Sequence, residues 1–213
     1  MKREVSMYKL NYGDSYMLKS EISSRRAGLN AQLQRLGARN VSAWYVGGFI
    51  YVYGEFEGEY GIKDVLAPYE SELAMVASKL GSNEDMDLMY HCIGKVREDK
   101  SLIRRRVFAT VLKPDCAKEY KARHQKLIDE RNDIDPDGAE TNFTIRCAQG
   151  KYIFGYCELV KSFDHEMTEE EKQSTIAWET RQLEIMDWLT DDVDWITGQK
   201  HPKMEQLFLQ EGF

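Results

Sequence analysis

The stretch that decides the fold occurs twice. Phe49-Ile50-Tyr51-Val52-Tyr53-Gly54-Glu55-Phe56 is matched by Tyr152-Ile153-Phe154-Gly155-Tyr156-Cys157-Glu158-Leu159. Each is a β-rich run of branched and aromatic residues with a glutamate just before its end. Upstream, Gly37-Ala38-Arg39-Asn40 is echoed by Gly138-Ala139-Glu140-Thr141-Asn142, with one residue inserted. Downstream, Met86-Asp87-Leu88-Met89-Tyr90 is echoed by Met204-Glu205-Gln206-Leu207-Phe208. The offset grows from 101 residues (Gly37 to Gly138) to 118 (Met86 to Met204), so insertions fall between elements. An ordered, drifting offset is the mark of a duplicated and diverged unit.

Each copy reads β-α-β-β-α-β. In the first, residues 4–12 alternate as a strand, and Gly13-Asp14-Ser15 supplies a turn and helix cap. An apolar stripe through Leu18, Ile22, Leu29, Leu33 and Leu36 predicts a helix that stops at Gly37. Strands at 40–46 and 49–56 flank a Gly47-Gly48 turn, a helix is expected over 67–80, and a strand over 85–94 closes the unit. The second copy predicts strand 105–113, helix 116–131, strands 141–147 and 151–160, helix 168–189 and strand 203–210. Glu98-Asp99-Lys100-Ser101 reads as the linker between repeats 1–98 and 104–213.

This order is the ferredoxin-like split βαβ arrangement, an α+β fold. Helices cover one face of each sheet, and the other face needs a partner. Two such units in one chain can bury those faces against each other, an intramolecular pseudo-dimeric α/β barrel. The chain is then a monomer with an internal pseudo-dimer, and further homodimerisation stays open.

Composition narrows the function. The 213 residues are 42% hydrophobic and 31% charged, enough for a packed core with a solvated surface. A net charge of −7 with no basic stripe argues against nucleic acid as partner. The opening residues do not read as a signal peptide, and no apolar run reaches the length of a membrane span. Cys92, Cys116, Cys147 and Cys157 show no zinc spacing and read as reduced thiols, which suits the cytoplasm. A small soluble partner is expected.

The informative segment is the helix from Cys116. Its inward stripe is Ala117, Tyr120, His124, Leu127 and Ile128, which places Tyr120 and His124 one turn apart on the face that meets the sheet. Leu or Ile would pack that face better. In the first copy the aligned positions are Leu18 and Ile22, or Lys19 and Ser23, so the pair is private to the second copy. The pattern alone leaves two readings open: a hydrogen-bonded core histidine, and a site.

The run Arg105-Arg106-Val107-Phe108-Ala109-Thr110-Val111-Leu112-Lys113-Pro114-Asp115, followed by Glu119-Tyr120-Lys121-Ala122-Arg123-His124, resembles the opening of the L-rhamnose mutarotase family. The Gly138-Ala139 to Asn142-Phe143 segment, Trp178-Glu179 and the ending Lys203 to Leu209 resemble its members in the same order. The resemblance spans residues 104–210. It implies a racemase/epimerase-class enzyme of carbohydrate metabolism that interconverts the α and β anomers of L-rhamnose or a related sugar. Its acid/base residues would be His124 and Tyr120. Phe143 would line the sugar where the family has a tyrosine, and Trp178 would offer an apolar face, with Trp188 and Trp195 as alternatives. Arg146, read on its strand position, is a further substrate-binding candidate, with a surface salt bridge as the alternative. Neither metal nor organic cofactor is needed.

Two other functions stay in play: an inactive binding or structural module of this fold, and a different dimeric-barrel enzyme such as a small monooxygenase or haem-handling protein. The remaining histidines read blandly. His91 is expected in a core or interface, His165 and His201 on the surface, and Asp191-Asp192-Val193-Asp194 as a solvated loop without calcium-loop spacing. Glu55 and Glu158 recur in both copies, which points to structure.

Overall fold

The computed structural model of the chain describes residues 1–130, 140–161, 168–190 and 203–211. Gly138, Ala139, His165, the 191–194 acidic cluster, Trp195 and His201 lie outside them. The chain divides into two compact units, Met1–Met86 with Met204–Phe213, and Asp87–Lys203.

The first unit opens with β1 (Lys2–Leu10) and α1 (Ser15–Arg35), whose first turn is capped by the Asp14 carboxylate accepting from Met17 N. Gly37 follows with φ +63°, the left-handed stop expected there. The hairpin of β2 (Ala38–Val46) and β3 (Phe49–Phe56) turns through Gly47 and Gly48, both at positive φ as a primed turn requires. The second helical region is broken into α2 (Ile62–Leu66), a 3₁₀ turn at Ala67–Tyr69 around Pro68, and α3 (Glu70–Val76). Residues 77–80, expected at the end of a helix, belong instead to β4 (Ala77–Ser82), which pairs antiparallel with β1.

The second unit repeats this: β6 (Ile103–Leu112), α4 (Ala117–Glu130), β7 (Glu140–Ala148), β8 (Tyr152–Val160), α5 (Glu169–Leu183) and β9 (Met186–Thr190). Here too the expected helix 168–189 stops early, and its tail is a strand paired with β6. Both β4 and β9 are short edge strands joined through a bulge. Edge strands with charged or polar residues carry weak alternation, so their sequences merge with the preceding helix.

The strands read as closing each copy change places. β5 (Asp87–Cys92) pairs with β7, and β10 (Glu205–Leu209) pairs with β2. The sheets therefore run β10-β2-β3-β1-β4 and β5-β7-β8-β6-β9, both antiparallel and identical in order. β4 and β9 end the strand runs β1–β4 and β6–β9, and β5 and β10 each join the sheet built from the other run.

The repeated Gly-Ala…Asn signature acquires a cause. β2 is bulged between Arg39 and Ser42, and β7 between Thr141 and Thr144. Asn40 (φ 52°) and Asn142 (φ 51°) take the left-handed conformation inside those bulges, which asparagine tolerates better than most residues. Asn40 Nδ2 donates to Glu55 Oε1 at 3.0 Å, and Asn142 Nδ2 to Glu158 Oε1 at 2.8 Å. Tyr53 and Tyr156 hydroxyls donate to the same oxygens at 3.0 Å. The glutamates are thus buried bulge anchors. The expected linker is part of this arrangement: Lys100 is buried and its Nζ donates to both oxygens of Glu158, at 2.8 and 2.9 Å.

Candidate functional site

α4 lies on the face of the second sheet formed by Phe108, Leu112, Ile145, Cys147 and Ile153. As the helical stripe requires, Tyr120 and His124 turn inward and are 2% and 8% exposed. Their rings approach to 4.3 Å at 33°. Arg123, expected on the solvent side, is half-buried and ties α4 to α5: its guanidinium donates to the Arg181 carbonyl, to Glu119 and to Glu184 Oε2.

Around His124 stand aromatic edges. Trp178 on α5 meets the imidazole at 5.3 Å and 84°, and Tyr90 at 5.8 Å and 63°. Tyr90 packs on Phe143 at 5.0 Å, Phe143 on Phe108 at 6.2 Å, and Phe108 on Trp188 at 6.1 Å. The ring of Phe108 lies across Gly155, where a Cβ would come within 2.1 Å of it, so only glycine fits. Tyr90 belongs to β5, so the wall it forms comes from the segment that the sequence assigned to the first copy.

His124 Nδ1 lies 2.9 Å from the Tyr120 carbonyl oxygen. A carbonyl only accepts, so Nδ1 carries the hydrogen and Nε2 keeps the lone pair. Burial pushes the imidazole pKa down from its usual value, partly offset by that hydrogen bond, so the neutral base is the resting form near pH 7. Burial pushes the Tyr120 phenol well above the usual tyrosine value, with a smaller contribution from Cys147, and it stays a protonated donor. A neutral base thus stands beside a protonated donor.

Of the sequence candidates, Tyr120, His124, Phe143 and Trp178 converge. Trp188 sits farther along, its indole N–H donating to Glu179 Oε1 at 2.9 Å. Arg146 does not join them: Phe143, Ile145 and Cys147 face the helices, and alternation along β7 puts Arg146 on the opposite face. It is half-buried there, and that burial lowers its guanidinium pKa. His91, expected in a core or interface, is exposed on β5. Among the described residues no cluster of three or more His, Cys, Asp or Glu could hold a metal. No described helix is long and apolar enough to cross a membrane.

The sequence reading missed Tyr90, Thr110, Glu179 and Gln182. Tyr90 was hidden by strand exchange. The other signal was available: α5 has few apolar residues over 15 positions, and its buried residues are Glu179 and Gln182. A helix that packs without a sufficient apolar stripe turns a polar face inward.

Comparison with known proteins bears on the second half of the chain. No curated protein matches the chain. A crystal structure of a proposed monooxygenase from Fusobacterium nucleatum aligns over 88% of this chain and 93% of that one, at 12% identity and a TM-score of 0.47. The family model of L-rhamnose mutarotase matches residues 105–209, the segment that carries Tyr120, His124, Phe143 and Trp178.

Proposed function

We propose that the protein is a sugar mutarotase whose active site lies in the second repeat. The observation that carries this reading is the neutral His124, Nδ1 fixed by the Tyr120 carbonyl and flanked by Trp178 and Tyr90, with Phe143 packed behind Tyr90, in a segment similar to the L-rhamnose mutarotases. Mutarotation needs the hemiacetal opened, the C1–C2 bond rotated, and the ring reclosed. His124 Nε2 removes the anomeric hydroxyl proton, and the Tyr120 phenol donates a hydrogen bond to the ring oxygen as that oxygen gains charge. Both oxygens are bonded to C1, so one imidazolium can return the proton to either. A positioned base of this kind is worth about 10²–10⁴-fold. Trp178 offers an apolar face to the sugar C–H groups.

The architecture suited to this is two ferredoxin-like repeats, 1–98 and 104–213, each contributing its last strand to the other's sheet. The identical strand orders and the paired Asn–Tyr–Glu anchors support the duplication. The first repeat supplies scaffold and the Tyr90 wall, and the protein works as a cytoplasmic enzyme on a small sugar.

The test is saturation-transfer NMR between anomeric protons of L-rhamnose, L-fucose, D-galactose and D-glucose. Wild type accelerates exchange for at least one sugar, and His124→Ala abolishes the acceleration. Identical exchange with wild type, His124→Ala and no protein refutes the proposal.

A further inference from the structure

The inner face of α5 is polar where a packed helix should be apolar. Its buried side chains are Glu179 and Gln182, one turn apart. Gln182 is 2% exposed, and neither its Oε1 nor its Nε2 has a hydrogen-bond partner among the described residues. Facing this region on β6, Thr110 is 0% exposed and its Oγ1 likewise has no partner among the described residues. The three belong together: Thr110 is the register partner of Trp188, and Trp188 donates to Glu179. Phe108 and Leu112 flank Thr110 on the helix-facing side, so alternation puts its hydroxyl there too.

The first repeat shows that the fold does not require this. The position equivalent to Thr110, opposite Ile50 as Thr110 is opposite Ile153, is Tyr8, which packs in the apolar core. Its second helical region buries Ile62 and Val65. Leaving three buried hydrogen-bonding atoms unmet is costly, and native proteins rarely do so without a role for the groups.

We propose that Gln182 and Thr110, beside the Glu179–Trp188 pair, form a hydroxyl-recognising subsite for a neutral polyhydroxylated ligand and set its specificity. The amide offers one acceptor and two donors, and the threonine hydroxyl one of each kind, a set that matches vicinal hydroxyls in either orientation. The subsite adjoins the acid/base pair through α5, because Trp178, which touches His124, immediately precedes Glu179. Trp178 also walls an open groove with Arg123, Lys126, Leu127 and Arg181, the side from which a ligand would approach. The subsite is closed as it stands, and ligand hydroxyls meet the stranded atoms when it opens.

The inference rests on the mutarotase reading for its location, and the experiment separates the two. Binding of L-rhamnose, L-fucose, D-galactose and D-glucose is measured by calorimetry, and anomeric exchange by NMR, for wild type, Gln182→Met and the isosteric Thr110→Val. Each variant is expected to weaken binding of the preferred sugar at least tenfold, while its melting temperature stays level or rises because a stranded polar group is removed. If wild type catalyses exchange and both variants leave binding and KM unchanged, the subsite is refuted and the mutarotase reading stands. The atoms then merely hold water. If wild type binds a sugar through Gln182 and Thr110 without exchanging its anomers, the subsite stands and the mutarotase reading falls. Wild type that binds none of the four sugars overturns the subsite.

Discussion

Replacing Lys100 by methionine tests the buried anchor of the second sheet most directly. Lys100 Nζ makes two charge-assisted hydrogen bonds to Glu158, at 2.8 and 2.9 Å, with the two side chains 6% and 0% exposed. Asn142 and Tyr156 still donate to Oε1 in the variant, but the carboxylate loses the Lys100 ammonium in a place that water does not reach. Each charge-assisted bond is worth about 1.5–3 kcal/mol, and breaking a buried pair by removing one partner typically costs about 3–5 kcal/mol. The expected loss is therefore about 3–4 kcal/mol, or roughly 6–16 °C in Tm for a chain of this size. Urea unfolding followed by circular dichroism measures it, in low and high salt, because a pair this deep is barely screened. The double variant Lys100→Met/Glu158→Gln should recover most of the loss, since it leaves no buried charge. A loss below about 1 kcal/mol for the single variant, or a double variant no better than the single, refutes the anchor.

Acidification should destabilise the protein through His124. Its folded pKa is lowered, so the neutral ring's contribution is complete above the unfolded value of about 6.5 and is lost as pH falls through the folded value. His124→Gln should remove up to about 1.4 kcal/mol per pH unit of slope in urea melts between pH 7 and 4; an unchanged slope contradicts the assignment. Mutarotase activity should fall on the same acid side, with an apparent pKa below that of free histidine, as a pH–rate profile would record. Gly155→Ala should cost about 1–3 kcal/mol by driving a methyl into the Phe108 ring, with loss of near-ultraviolet dichroism from the edge-to-face Phe108–Trp188 pair. Tyr90→Ala should slow exchange by exposing His124, although the residue lies outside the segment that resembles the family; exchange at the wild-type rate would show that β5 adds nothing to the site.

The sequence by itself determined what is local or repeated. The helical stripe of α4 fixed that Tyr120 and His124 share the buried face. The Gly47-Gly48 turn, the Asp14 cap and the Gly37 stop depend on dihedral preferences confined to a few residues, and all lie where expected. The Asn and Glu repeats signalled a structural device, though not that Asn40 and Asn142 sit at left-handed bulges. Tertiary structure decided what depends on partners far along the chain. A strand's alternation shows that it will pair and says nothing of the sheet it joins, because edge hydrogen bonds are the same for any partner. So β5 and β10 exchanged sheets, and Tyr90 came to His124 from outside the second copy. The ends of the two second helices became edge strands for a related reason. Short polar strands have little periodicity of their own and are specified by β1 and β6 beside them. The polar face of α5 was written in its composition, but only the folded chain showed that Gln182 is buried with no hydrogen-bond partner among the described residues. Burial, a property of the whole fold, holds the His124 imidazole below its usual pKa.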